Sequence, residues 1–185
     1  MISHELLFNA DLPDNVRIVA VPEINKFGTK GRDNGTAQGR VNGNGVNLNR
    51  NFPYFWDDVP TGAGTGDYKG AAAGSEPETQ ALINFLNSLG KIELAISYHD
   101  DVSWVASAKP LTPANLARIY SSKTPDINLR SDENGTVNQR GSLESWYNQK
   151  HGTPGLLVEL SRNQSQAVIL NHVEAVKAVI EGGGI

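Results

Sequence analysis

The 185-residue chain is 38% hydrophobic and 19% charged, a balance that supports a packed core and argues against disorder. Its net charge of −4 gives a nucleic acid or an anionic membrane no electrostatic hold, and no apolar run approaches the roughly 20 residues of a membrane span. Cysteine is absent, which excludes disulfides, thiolate metal sites and a Cys nucleophile and leaves the compartment undecided. The opening Met-Ile-Ser-His-Glu lacks the basic-then-apolar pattern of a signal peptide.

In chain order, Val16 to Ile24 (VRIVAVPEI) is short and rich in β-branched residues and predicts a buried strand. Lys26 to Arg50 is a long polar stretch dense in Gly and Asn, and Tyr54 to Gly74 continues the irregular region. Loops of such length are uncommon in compact domains and often functional. Phe52, Phe55, Trp56 and Tyr68 carry more aromatic area than a flexible linker would. Ser75 and Glu78 have capping-box spacing, Pro77 suits a first turn, and Leu82, Phe85, Leu86 and Leu89 make one apolar stripe ending at Gly90. Ile92 to Tyr98 predicts a second strand, running into His99, and Trp104 to Ala108 a short third. Helices are expected over Thr112 to Ser121 and Ser142 to Lys150, with Asp126 to Arg140 polar and irregular. Gly155 to Leu160 (GLLVEL) predicts a central strand, and from Ser165 a helix carries Ile169, Val173, Val176 and Ile180 on one face. Strands alternating with helices predict an α/β fold with a mixed, mainly parallel sheet flanked by helices, in one domain over 1–185.

Three features resist a purely structural account. Glu159 interrupts an apolar strand, so its carboxylate lies either on the solvent side of an edge strand or in a polar site at the strand end. His99 follows a strand, where α/β sheets place ligands, although a lone His is more often a packed or surface residue than a metal ligand. His172 is expected among outward-facing helix positions, and His151 in a turn before Gly152. The stretch from Arg40 to Pro53 concentrates amides and guanidinium groups. It is either a turn whose amides bond their own backbone, or an anion site in which an Arg fork grips a carboxylate.

Four motifs in order then resemble one family. Gly39 to Pro53 (GRVNGNGVNLNRNFP) is similar, almost residue for residue, to the signature of the zinc metallocarboxypeptidases (carboxypeptidase A-like, peptidase M14), which include bacterial murein-peptide hydrolases. Tyr68-Lys69-Gly70 with Ser75-Glu76-Pro77-Glu78-Thr79, Ile96-Ser97-Tyr98-His99, and Gly141-Ser142-Leu143 followed by GLLVEL resemble its later motifs. The resemblance implies a peptide substrate with a free C-terminal carboxylate, bound by Asn49 and Arg50. It implies that Arg40 polarises the scissile carbonyl and that His99 is one ligand of a single zinc ion. Glu159 would take a proton from zinc-bound water and hand it to the leaving amine, because zinc lowers the pKa of that water to about 7. Leu143 falls at the specificity position, where an apolar side chain argues against basic C-terminal residues.

The chain also departs from the family. The His-x-x-Glu pair that supplies two zinc ligands has no counterpart: His4 and Glu5 are adjacent, and Leu7 stands three residues after His4. Ser3 to Asp14 looks like the tail of the helix that follows that motif. The expectation is therefore an N-terminally truncated domain with an incomplete zinc site and an exposed sheet edge prone to association. Asn47 replaces an Asp that orients a zinc-ligating His in many members, and no tyrosine precedes Gly141 where pancreatic-type members have one. Besides a metallocarboxypeptidase inactive as this chain, two readings stand: a zinc-free binder of peptide C-termini, and a structural domain without a site.

Overall fold

The computed structural model describes residues 1–33, 39–62, 64–100, 102–109, 111–130, 135–162 and 165–183. The α-helices are α1 (Ile2–Phe8), α2 (Lys26–Asp33), α3 (Pro77–Ser88), α4 (Ala114–Ser121), α5 (Leu143–His151) and α6 (Gln166–Gly182). The strands are β1 (Ala95–Asp100), β2 (Trp104–Ala108), β3 (Asn128–Leu129), β4 (Thr136–Val137) and β5 (Gly155–Leu160), and short 3-10 turns form at Leu48–Arg50 and Trp56–Asp58. The sheet runs β1-β5-β2-β3, with β4 also on β2, and only the β2–β5 pairing is antiparallel among these. The fold class expected from the sequence is the one observed. Among the described residues, no helix is long and apolar enough to cross a membrane.

The pleat of β5 decides where the chemistry lies. Side chains alternate across a strand, so Leu156 and Val158 face α1, α4 and α6, packing with Leu116, Tyr120, Ile169, Val173 and Val176. Leu157 points the other way, and Glu159 shares its face by the same period of two. On β1 the alternation is in step. Tyr98 faces the helical core and meets Tyr120 at 3.2 Å, while Ser97 and His99 turn toward α5. Parallel pairing sets His99 directly beside Glu159. Glu159 thus stands in a strand flanked on both sides, which discards the solvent-facing edge alternative.

The structure corrects several expectations. Val16 to Ile24 forms no strand. Residues from Val16 to Ala20 alternate half-buried and exposed, and Val19 and Val21 are 44% and 42% exposed. A β-branched run becomes a strand only where a neighbour accepts its hydrogen bonds, and no described strand lies beside it. The polar stretch after it is not wholly irregular, because α2 forms there with Asn25 Oδ1 accepting from the Gly28 amide. The capping box is not made: Glu76 is the N-cap, and Ser75 donates to the Glu76 carboxylate instead. Two short strands, β3 and β4, fall within the segment read as irregular. His172 is buried at 1% exposure and accepts from or donates to the Tyr120 hydroxyl at 2.8 Å. It lies three residues after Ile169, on the same inward stripe of α6.

One glycine fastens the long loop to the segment that leads into α5. Gly141 has φ +70°, and a Cβ there would fall on the carbonyl of Arg50. The Phe52 amide donates to Gly141 O at 2.9 Å and the Gly141 amide to Tyr54 O at 2.8 Å. We predict that Gly141→Ala destabilises the protein by about 2 kcal/mol or more in urea titration, from strained backbone and overlap together. Gly45→Ala, also at positive φ (+73°) but with open space around it, should cost about 1 kcal/mol. Equal costs would mean that the close approach to Arg50 is unimportant.

Candidate functional site

Much of the Asn-rich loop bonds itself. Asn42 Oδ1 accepts from the amides of Asn44 and Val46, and Asn47 Oδ1 accepts from the Asn49 amide at 3.0 Å, capping the 3-10 turn over Leu48–Arg50. Asn51 reaches the carbonyls of Lys69 and Ala72 and accepts from the Glu76 amide. Asn49 and Arg50 are different, because both reach beyond the loop, Asn49 to the first turn of α5 and Arg50 to Gln139 on its approach. The Leu143 amide donates to Asn49 Oδ1 at 2.8 Å, and Asn49 Nδ2 lies 3.4 Å from Glu144 Oε2.

Glu144 is the centre of this region. It sits in the first turn of α5, capped by Ser142, and is only 4% exposed. Its Oε1 lies 3.0 Å from His99 Nε2, which also meets Ser97 Oγ at 3.0 Å. Burial pushes the Glu144 carboxyl up, but the hydrogen bond and charge of His99 prevail and hold it down at about 2. Burial likewise disfavours the charged His99 imidazole, yet the bond and charge of Glu144, helped by the charge of Glu159, raise it above its ordinary value.

The arginines lie on the other flank. Asp67 Oδ1 sits 2.7 Å from Arg40 Nη2 and 3.2 Å from Arg50 Nη2, and Asn47 Nδ2 approaches it at 3.4 Å. The hydrogen bond from Arg40 holds the Asp67 carboxyl below the usual carboxylate range. Arg50 Nη1 donates to Asn49 O at 2.9 Å. Gln139, its amide oriented by hydrogen bonding, accepts through Oε1 from Nη1 at 2.5 Å and from Nη2 at 2.7 Å. A cavity of about 480 Å³ opens beside Arg40 and Tyr68, and another of about 510 Å³ beside Arg50, Gln139 and Arg140.

The sequence profile of the zinc carboxypeptidase family (peptidase M14) matches residues 9–175, so the chain belongs to that family. Human mast cell carboxypeptidase A is 43% identical over 61 residues, covering 30% of this chain and 14% of that protein. Murein-tripeptide amidase MpaA from Escherichia coli O157 superposes with a TM-score of 0.57 at 24% identity, over 85% of this chain and 64% of its own. Carboxypeptidase A from Helicoverpa armigera gives 0.63 at 16% identity, over 89% and 50%. This chain therefore spans less than two-thirds of each of these relatives.

The family implies zinc, and the donor set here does not complete a site for it. Among the described residues, no group of three or more His, Asp or Glu side chains could hold a metal ion. His99 offers one imidazole, and its Nε2 is turned to Glu144. Asn47, at the position of a ligand-orienting Asp, caps a turn instead.

Of the residues singled out in sequence, Arg40, Asn49, Arg50, His99 and Glu159 fall in one region, linked through Asp67 and Glu144. Glu159 acts electrostatically on both Arg50 and His99. The Leu143 side chain packs with the aromatic cluster of Phe52, Tyr54, Trp146 and Tyr147, and its backbone amide holds Asn49. Glu144, Asp67 and Gln139 were not anticipated. Glu144 lies in the first turn of the helix expected from Ser142, where a carboxylate is commonplace and gives no signal of its own.

The Glu144–His99 pair gives the metal-free protein a pH signature. A depressed carboxyl stabilises above its unfolded value near 4.3, and this is lost as pH falls toward about 2. A raised imidazole stabilises fully below about 6.5, and this is lost as pH rises through the folded value. Urea midpoints should therefore peak between about pH 4.5 and 6.5 and decline on both sides. Glu144→Gln should remove most of that peak; an unchanged profile would show that the pair is not ionised in the folded protein.

Proposed function

We propose that this chain is the substrate-carboxylate-binding and proton-handling part of a metallocarboxypeptidase that hydrolyses the last peptide bond of a peptide. The observation that supports this best is the unbroken run of contacts Arg40–Asp67–Arg50–Asn49–Glu144–His99, with Glu159 beside His99 on the next strand. Arg50 and Asn49 would fix the free carboxylate, since a guanidinium fork and a neutral amide donor suit a planar anion. Such a clamp restricts cutting to chain ends. Arg40, exposed beside its cavity, would hold the scissile carbonyl oxygen. Glu159, paired in register with His99 and acting electrostatically on Arg50, would take the proton of the attacking water and give it to the leaving amine. In the family, zinc polarises the carbonyl and activates that water. The described residues would account for recognition and proton handling, and no group of three donors for the ion is found among them. Murein peptides are one candidate substrate class, supported by the likeness to a murein-tripeptide amidase.

The second reading, a binder of peptide C-termini that does not cut, is favoured by the lack of a three-donor metal group among the described residues. Both readings require carboxylate recognition. An N-acetylated dipeptide should bind in calorimetry, and its C-terminal amide should bind at least tenfold more weakly. Arg50→Ala should weaken the acid by about 10- to 100-fold, the worth of one or two charge-assisted hydrogen bonds, and leave the amide unchanged. Equal loss for acid and amide would sink the clamp.

Cleavage separates the two. Metal analysis of this chain after zinc dialysis should give well under one ion per molecule, with negligible hydrolysis of a blocked dipeptide. In a version extended upstream to include a His-x-x-Glu pair, zinc and turnover should both appear. Glu159→Gln there should abolish turnover and retain zinc. Full activity from the 185 residues alone would contradict the account, and zinc-loaded extended protein without turnover would favour the binder.

A further inference from the structure

The Arg50 fork is already filled by the protein itself. Its four Nη contacts go to Asn49 O, Asp67 Oδ1 and, twice, Gln139 Oε1. A guanidinium carries two hydrogens on each Nη, so the bonds to Asn49 O and Gln139 Oε1 engage three of the four that an incoming carboxylate would use, and Asp67 adds an ion pair. The occupants differ in kind. Asn49 O belongs to the fixed 3-10 turn, and Asp67 is charged and shared with Arg40. Gln139 is neutral, and its one oxygen bridges both Nη atoms at 2.5 and 2.7 Å, at the mouth of the fork. We infer that Gln139 is an internal competitive ligand of the clamp, so that a peptide's C-terminal carboxylate binds by displacing this side-chain amide. The inference rests on the clamp assigned to Arg50 above.

The chemistry favours that exchange. Asp67 offsets one of the two arginine charges, so Arg40, Arg50 and Asp67 together retain a single positive charge, matched by one carboxylate. Charge-assisted hydrogen bonds are about twice as strong as neutral ones, so a carboxylate outcompetes an amide oxygen. Space exists for the move, because Gln139 lines the cavity of about 510 Å³ with Arg50, Asn138 and Arg140. The backbone need not follow. The Gln139 amide donates to Ser145 Oγ at 3.1 Å, and Gly141 is held on Phe52 and Tyr54.

The role makes a prediction of unusual sign. Calorimetric titration of the chain with an N-acetylated dipeptide should show tighter binding by Gln139→Ala, by about 5- to 10-fold, because the competitor is gone. Gln139→Glu, which places a charged competitor on the fork, should bind at least 10-fold more weakly than the unaltered chain. If Gln139 instead held Arg50 in a productive position, Gln139→Ala would bind more weakly. A weaker or unchanged Gln139→Ala overturns the inference, provided the unaltered chain prefers the acid over its C-terminal amide. Absence of that preference in the unaltered chain and both variants overturns the clamp assignment and the inference together. Circular dichroism and urea midpoints close to those of the unaltered chain establish that each variant is folded.

Discussion

Asn49 spans the gap between two remote parts of the chain with both ends of its side-chain amide. Its oxygen takes the Leu143 amide at the start of α5, and its nitrogen approaches the Glu144 carboxylate in the same turn. Just beyond, Phe52 and Tyr54 exchange backbone hydrogen bonds with Gly141. These contacts fasten a long, mostly irregular loop to the helix that carries Glu144. Arg50 is carried along, because the cap from Asn47 fixes the 3-10 turn on which it sits. Without that fastening the arginines would lie on a surface loop, unconnected to the strand ends where His99 and Glu159 stand.

The opposite half of the site depends on the pleat. A period of two sends Leu156 and Val158 into the helical core and leaves Glu159 on the α5 face, in register with His99. Buried charge then organises itself. Glu144, almost wholly removed from water, is tolerated because His99 and Asn49 meet its two oxygens. A second set of charges, Arg40, Asp67 and Arg50, lies alongside at the more exposed rim. The site is therefore pre-organised by the chain's own counter-charges, and a substrate must compete with some of them.

The sheet strands were legible where apolar runs were long enough to be buried on both faces, as in GLLVEL and WVASA. Val16 to Ile24 is richer still in β-branched residues and stays unpaired, because strand formation needs a hydrogen-bonding neighbour that composition cannot reveal. His172 was misplaced through helix phase: three residues from Ile169 is inward, not outward. Arg40, Asn49, Arg50, His99 and Glu159 were legible through four spaced motifs, whose order carries more information than any single residue. Glu144 was not legible, since only the tertiary fold shows that a carboxylate in a helical first turn is buried against an imidazole. Asp67 and Gln139 escaped for a related reason: their importance lies in what they occupy, not in what they are.

Carboxylate capture by Arg50 and Asn49 is the claim on which the functional account stands. It is tested most directly by NMR titration of the nitrogen-15-labelled chain with an N-acetylated dipeptide. The account predicts saturable shifts of the Asn49 side-chain amide, the Arg50 guanidinium and the Leu143 backbone amide, none of them produced by the dipeptide's C-terminal amide. Binding that leaves those three resonances unmoved, or moves them equally with acid and amide, would contradict it.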